Sequence, residues 1–383
     1  MMFLSKPSVQ LAVILAVAFL LRTISLDTYP IGLYSDEAAF GYNASLLLKT
    51  GHDEYGRFWP VSFESFGDWK PPMQGWLAIP FIALLGLEEV AVRLPSAILG
   101  TATVGVIYFL AQTIVRPCLA TARPGHFRLM PLVAALMLTI SPWHIFMSRT
   151  AMLVAVEVFF VSLGVLGLIK GLNYSIIPTK ATSDVAKAGI YLHRFRIKRF
   201  DRPELTAEGS GMTMINWWWI VSAISFSGAI YSYYGSRVTV PLILSAFTVA
   251  YFNELKLRFR ELLIPVIVGA TLLSPLVVQS IKEPLILTGR AKTTSVFFND
   301  NVRIQLWDAH TKAGLKMVPP VVSRFFDNKL YFYIRDISGR YLSHFSPQFL
   351  FLNGDSRPPF KIPNLGYLHM VDVPFFLLGL YLL

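Results

Sequence analysis

Apolar residues along this chain gather in runs whose lengths are those of membrane helices. A helix needs roughly 20 residues to cross about 30 Å of hydrocarbon. On that scale the pattern predicts spans at 8–24, 94–115, 129–147, 151–169, 214–232, 238–252 and 262–280, and the start of an eighth at 370–383. The sixth is short at its apolar core, and the final run "VPFFLLGLYLL" stops before it is long enough to span, so this last segment reads as truncated. The stretch "WLAIPFIALLGL" at 76–87 is 12 residues long and contains Pro80, which predicts a helix lying in the interface instead of a crossing one.

Composition points the same way. Of 383 residues, 54% are hydrophobic and only 15% charged, where a soluble domain carries about 25% charged residues. Lys6 ahead of the first apolar run resembles a signal peptide, but Arg22 stands where small cleavage-site residues belong, so the segment reads as an uncleaved anchor. The single cysteine, Cys118, excludes an intramolecular disulfide framework.

The net charge of +11 matters through its location. "VRPCLATARPGHFR" at 115–128, "HRFRIKRFDR" at 193–202 and "KLRFR" at 256–260 fall between spans two and three, four and five, and six and seven. All three therefore share one side of the membrane, and the positive-inside rule makes it the cytoplasm. No nucleic-acid reader motif accompanies this charge, so nucleic acid is not an expected partner. Alternation turns 25–93, the turns near 144–150 and 233–237, and the long loop 281–369 outward. The first of these is acidic; the last is basic, which is tolerated because long loops translocate largely regardless of charge. The polar stretch 174–213 reads as a cytoplasmic linker. The organisation expected is a bundle over 1–280 that includes the outer loop 25–93, an extracytoplasmic region over 281–369, and the incomplete span at 370–383.

Candidate chemistry collects on the outward side. "YSDEAAFGYN" at 34–43 sets Asp36 and Glu37 after the first span, where Ser35 as N-cap would make them helix-capping acids. "SFGDWKPP" at 65–72 supplies Asp68 and Lys70. "SPWHIFMSR" at 141–149, read as a tight hairpin, brings His144 and Arg149, and "YSYYGSRV" at 231–238 brings Tyr233 and Arg237. Each has a structural reading as well: arginines at span ends snorkel to headgroups, a lysine before Pro-Pro suits a solvated turn, and a lone histidine is commonly a hydrogen-bonded one. Glu157, inside the fourth span, is either functional or paired with another helix. Asp53, Glu54, Glu64, Glu88 and Glu89 read as solvated acids, and the N-x-S sequons at Asn43 and Asn173 as unused.

Moving a sugar from a lipid phosphate to a hydroxyl needs a carboxylate to take the hydroxyl proton and cations to hold the departing phosphate. Asp36 suits the first role, with Glu37 orienting the acceptor or holding a cation. Lys70, Arg149 and Arg237 suit the second. No HxxxH, CxxC, P-loop or GxGxxG pattern is present, so no cofactor is assigned; a divalent cation stays open because of the paired acids. A transporter or flippase of lipid-linked substrates is the competing reading, motivated by the spans and by Glu157, though internal repeats are absent.

The stretches "DEAAFGYNASLLLKTGHDEYGRFWP" at 36–60, "SFGDWKPPMQGWLAIPFIALLGLEEVAVRLPSAILG" at 65–100, "SPWHIFMSR", "YSYYGSRVTVPL" at 231–242 and "YLSHFSPQFLFLNGD" at 341–355 resemble membrane glycosyltransferases of the GT-C architecture. In particular they are similar to bacterial relatives of the dolichyl-phosphate-mannose protein mannosyltransferases (glycosyltransferase family 39-like). The resemblance implies an all-α polytopic GT-C bundle with a large first extracytoplasmic loop carrying interfacial helices; the apolar runs give this chain seven to eight transmembrane helices, where family members usually carry more after the long outer loop. The resemblance further implies an inner-membrane enzyme that transfers a sugar, with inversion, from a polyprenyl-phosphate donor to a protein, lipid or glycan acceptor outside the cytoplasm. On the matching positions it implies Asp36 as base with Glu37 beside it, and Lys70 on the carrier phosphate. Asp68, Arg93, His144, Arg149, Tyr233 and Arg237 complete the expected substrate-binding set.

Overall fold

The computed structural model describes residues 7–65, 67–119, 129–174, 216–298, 300–354, 366–374 and 376–377. Most of the basic loop 115–128, nearly all of the 174–213 linker with its 193–202 cluster, and the end of the 370–383 run lie outside the described residues. The chain divides into two compact units: Met1–Phe63 with Pro71–Ile140 and His144–Val277, and Glu64–Lys70 with Ser141–Trp143 and Val278–Leu383.

The first unit is helical. Its elements are α1 (Pro7–Thr23), α2 (Ser35–Thr50), α3 (Met73–Leu85), α4 (Glu89–Leu119), α5 (Met130–Ile140), α6 (Pro142–Arg149), α7 (Leu153–Tyr174), α8 (Trp217–Ser232), α9 (Ser236–Ala250), α10 (Phe252–Leu257) and α11 (Phe259–Lys282). Three stretches are long and apolar enough to cross a membrane: Glu89–Val115, Leu153–Asn173 and Phe259–Lys282. The α5–α6 pair, bent by 58°, raises the number to four among the described residues. Six of the seven spans read from the sequence fall on one helix each and 129–147 on the bent pair α5–α6, but α1, α8 and α9 have 17, 16 and 15 residues, fewer than the roughly 20 of a straight crossing. This is a multi-pass helical membrane architecture in which several elements are short.

The 141–149 stretch is not the tight hairpin expected. Residues 142–149 are helical, and the chain reverses at 150–152. The break from α5 falls at Pro142, which has no N–H to give the preceding turn and so ends one helix and starts the next.

Close packing of α7 on α8 rests on missing side chains. A Cβ at Gly164 would lie 2.7 Å from the Phe226 ring, and one at Gly167 would lie 2.9 Å from Ser222 Cβ. Backbone approach then permits polar closure: Ser222 donates to the Gly164 carbonyl at 3.0 Å, and Asn216 Nδ2 donates to the Gly171 carbonyl at 2.9 Å. Small residues and such interhelical bonds replace the hydrophobic effect, which lipid largely cancels. Asn216 also caps α8 by accepting from Trp218 N–H. Between α7, α8, α9, α10 and α11 lies an apolar cavity of about 340 Å³, bordered by Phe226, Val240, Leu244, Phe247 and Leu262.

The stretch 76–87, expected as an interfacial helix, is helical, as α3, and begins three residues earlier than read. It buries Gln74, Gly75, Ala78 and Ile82 and packs on α2 and α4. Gln74 closes the joint, donating to the Val92 carbonyl at 3.0 Å and accepting from Ser96 at 3.0 Å.

The second unit, which takes in the 281–369 region, is also largely helical. It contains α12 (Leu285–Thr294), a 3-10 turn (Val296–Phe298), α13 (Asn301–Leu315), α14 (Pro320–Phe326), α15 (Lys329–Ser343) and a π-helical turn (Gln348–Asn353). A hairpin of β1 (Phe63–Ser65) and β2 (Asp68–Lys70) brings β2 onto α12.

Candidate functional site

The first turn of α2 carries both acids singled out in the sequence, and the structure separates their circumstances. The helix begins at Ser35 with Tyr34, not Ser35, as its N-cap. Glu37 is fully buried and Asp36 only partly so. Adjacent residues of a helix point about 100° apart, so one can face inward while the other faces the rim.

Every lone-pair direction of Glu37 finds a donor. Its Oε1 accepts from the Ala151 N–H at 2.7 Å and from Arg93 Nε at 3.1 Å. Its Oε2 accepts from the Tyr34 N–H at 2.9 Å and from Arg93 Nη2 at 3.3 Å. The first turn of α2, the middle of the first turns of α4 and the α6–α7 reversal are thus tied through one carboxylate.

Arg93 is equally committed. Beyond Glu37 it donates through Nη1 to the carbonyls of Leu26 and Pro30, both at 3.0 Å, and to Glu89 at 3.1 Å. Its Nη2 also reaches the Gly32 carbonyl. A fully buried guanidinium with this many acceptors organises backbone, and its partners are the 26–32 loop that delivers the chain to Asp36. Arg149 grips the same segment from another direction, donating to the carbonyls of Leu21, Ser25 and Tyr29 at 3.0 Å each. Of the residues proposed to bind substrate, Arg93 and Arg149 are therefore placed as clamps on the α1–α2 connection.

His144 sits at the α5–α6 break, buried, with Nδ1 2.8 Å from Arg22 Nη2. A guanidinium only donates, so this imidazole is neutral, with its proton on Nε2. Arg22 further donates to the carbonyls of Ala18 at 2.9 Å, Leu138 at 3.2 Å and Thr139 at 3.4 Å, two of which the break has freed. Ser148 donates to the His144 carbonyl at 2.6 Å. A Cβ at Gly100 would fall 2.1 Å from the Ser148 hydroxyl, so α4 approaches this cluster on a bare backbone.

At the α8–α9 turn, Tyr233 caps α8, and its ring meets that of Tyr234 edge-on at 6.1 Å. Arg237 lies over the Tyr234 ring at 5.6 Å, a cation–π arrangement. Glu157 accepts from Ser236 at 2.6 Å, the pairing with another helix that was one of its two readings. In the second unit, Asp68 of β2 pairs with Arg290 of α12 at 3.4 Å, and Lys70 is buried.

Of the acids read as solvated, Asp53 is buried, Glu89 is partly so, and Glu54 is exposed as read but held by hydrogen bonds. Asp53 is buried and accepts from the N–H groups of Tyr55 and Arg57 at 3.0 and 2.8 Å. Glu54 exchanges two 3.0 Å bonds with the buried Asn43 side chain. Glu89 is the second carboxylate on Arg93. Among the described residues no group of three or more His, Cys, Asp or Glu side chains converges as a metal site would.

Sequence reasoning missed Arg22, Gln74 and Arg290. The signal for Arg22 was present, since an arginine inside an apolar run is costly unless it finds acceptors.

No protein-family model matches the chain. No curated protein matches it either. Two solved structures of ArnT from Cupriavidus metallidurans are similar. In the apo state the TM-score is 0.47 at 17% identity, covering 72% of this chain and 43% of that one. In the form bound to undecaprenyl phosphate it is 0.48 at 16% identity, covering 74% and 43%. The chain thus spans less than half the length of these structures.

Proposed function

We propose that this chain is a membrane glycosyltransferase that moves a sugar from a polyprenyl-phosphate donor to an acceptor hydroxyl on the extracytoplasmic face. The acceptor is a protein, lipid or glycan, and seven to eight spans form the catalytic bundle. The observation that supports this reading is the division of labour in the first turn of α2. Glu37 is buried and anchors the turn, and Asp36 stands half-buried beside it at the end of a segment clamped by two arginines. Such a clamp costs buried charge, and fixing one carboxylate's position is a use that justifies it.

In the proposed step Asp36 takes the acceptor's hydroxyl proton as its oxygen attacks the anomeric carbon from the side opposite the phosphate. The bond from that carbon to the phosphate oxygen breaks, the configuration inverts, and polyprenyl phosphate leaves with the bonding electrons. Lys70, assigned on the family resemblance, and Arg237 neutralise the added charge on the phosphate. Asp68, His144 and Tyr233 are assigned to the substrate-binding surroundings, and Glu37, Arg93 and Arg149 to holding the base in place. The competing transporter reading drew on Glu157, whose carboxylate has a structural partner in Ser236.

The test is product analysis by mass spectrometry from membranes containing the chain and a panel of polyprenyl-phosphate sugars, undecaprenyl phosphate carriers among them. Asp36→Asn is expected to abolish transfer while membrane levels and melting behaviour stay at those of the parent. Full transfer by that variant sinks the assignment of the base. Proton-coupled uptake by reconstituted vesicles without any transfer sinks the enzyme itself.

A further inference from the structure

We propose that α15 is an in-plane membrane anchor: its apolar stripe beds into the interface of a bilayer bearing anionic lipids. The stripe consists of Leu330, Ile334, Ile337 and Tyr341, spaced by four, three and four residues so that all lie on one helix face. In a water-soluble unit this face would be the buried one. Here its members are 69, 55, 43 and 65% exposed.

The helix is nevertheless docked, through its other side. Phe332 is buried, Arg335 Nη2 donates to Gln305 of α13 at 2.5 Å, and the same guanidinium covers the Phe332 ring at 4.6 Å. Tyr333, on one flank, meets the Phe297 ring at 5.1 Å. Fixing the polar side to the unit leaves the stripe facing out, the reverse of how an amphipathic helix covers a core.

Three features select a bilayer as the occupant. The first is length: 15 residues rise about 22 Å, too little to cross about 30 Å of hydrocarbon but suited to lying flat. Charge is the second. The helix carries Lys329, Arg335 and Arg340 against the single acid Asp336, which pairs with Arg340 at 3.0 Å; Lys329 lies on the flank of the stripe, where a long basic side chain reaches phosphate headgroups. The third is attachment, since α12 follows within three residues of the end of the candidate span α11 and holds this unit close to a membrane. The inference stands apart from the proposed reaction, because it invokes no donor, acceptor or catalytic group.

The test uses the full chain with Cys118→Ser, carrying an environment-sensitive dye on Ile334→Cys or, on the opposite face, on Ser343→Cys. Each is reconstituted into phosphatidylcholine vesicles with or without phosphatidylglycerol. At position 334 the emission is expected to shift to the blue, to be quenched by lipid-borne doxyl groups, and to resist aqueous acrylamide several-fold better than at position 343. That protection is expected to be larger with phosphatidylglycerol. Equal acrylamide quenching at the two positions overturns the anchor, and equal protection in both lipid mixtures overturns its anionic preference. Protection that persists in detergent together with disulfide-linked dimers through position 334 assigns the face to a second copy of the chain instead.

Discussion

Glu37 and Arg93 form an ion pair of 3.1 Å with both side chains fully shielded from solvent, 56 residues apart in sequence. Neither residue keeps a polar atom to spare for a ligand, since backbone groups fill what the pair leaves open. A pair of this kind is worth little more than an apolar replacement, but breaking it from one side strands a charge.

Arg93→Ala is therefore expected to destabilise the protein by about 3–5 kcal/mol, read as a lowered melting temperature in detergent and reduced yield from membranes. Glu37→Gln keeps an acceptor for only one of the Ala151 and Tyr34 N–H groups and turns an amide NH2 towards the other, so it is expected to destabilise as well. The double variant Glu37→Gln, Arg93→Met is expected to recover part of the loss; a double variant as damaged as the sum of the two refutes the coupling.

Arg149→Lys tests clamp against phosphate ligand. A lysine ammonium cannot reproduce a planar fork that serves three carbonyls, so hydrogen exchange over residues 21–32 is expected to rise, with a stability loss of about 1–3 kcal/mol. Unchanged exchange there, combined with a raised KM for the donor, would return Arg149 to the substrate.

Gly100→Ala should be badly tolerated, because its new methyl would sit 2.1 Å from the Ser148 hydroxyl and 2.6 Å from Ser148 Cβ. Overpacking of this sort costs about 1–3 kcal/mol. Adding Ser148→Gly removes the obstructing atoms and is expected to restore melting towards the parent value; no restoration would place the fault elsewhere.

Asn43→Ala leaves the Glu54 carboxylate and N–H without the amide that pairs them; Glu54 is exposed and water can take the vacated place, so the expected loss is that of ordinary hydrogen bonds, about 0.5–1.5 kcal/mol. Thermal unfolding should report that loss, while Asn43→Ser, shorter but polar, should lie between. A neutral Asn43→Ala would mean that water replaces the amide at no cost.

The apolar helices were legible because lipid imposes a one-dimensional code: 8–24 became the helix Pro7–Thr23, and 262–280 became the candidate span Phe259–Lys282. What that code could not carry was the interior break. The 129–147 run stays apolar through residue 140, so only Pro142 marked the bend. The helices of 281–369 escaped for the opposite reason, since α15 keeps its stripe outward and mixes charges with aromatics in a way that leaves no long apolar run. At the site, sequence found the acids but not their separation. That Glu37 is structural depends on Arg93 and Ala151, brought to it from 56 and 114 residues away.

The arginine near the end of α1 also bears on biogenesis. Arg22 takes its acceptors from Leu138, Thr139 and His144, which lie 116, 117 and 122 positions later. A nascent chain delivers α1 to the translocon long before those groups exist, carrying a cation that lipid rejects. Until they are made, Arg22 has only the Ala18 carbonyl of its own helix and the water boundary near the end of α1 to satisfy it. Burial of the arginine, and with it the final seating of α1, is thereby completed only by the middle of the chain.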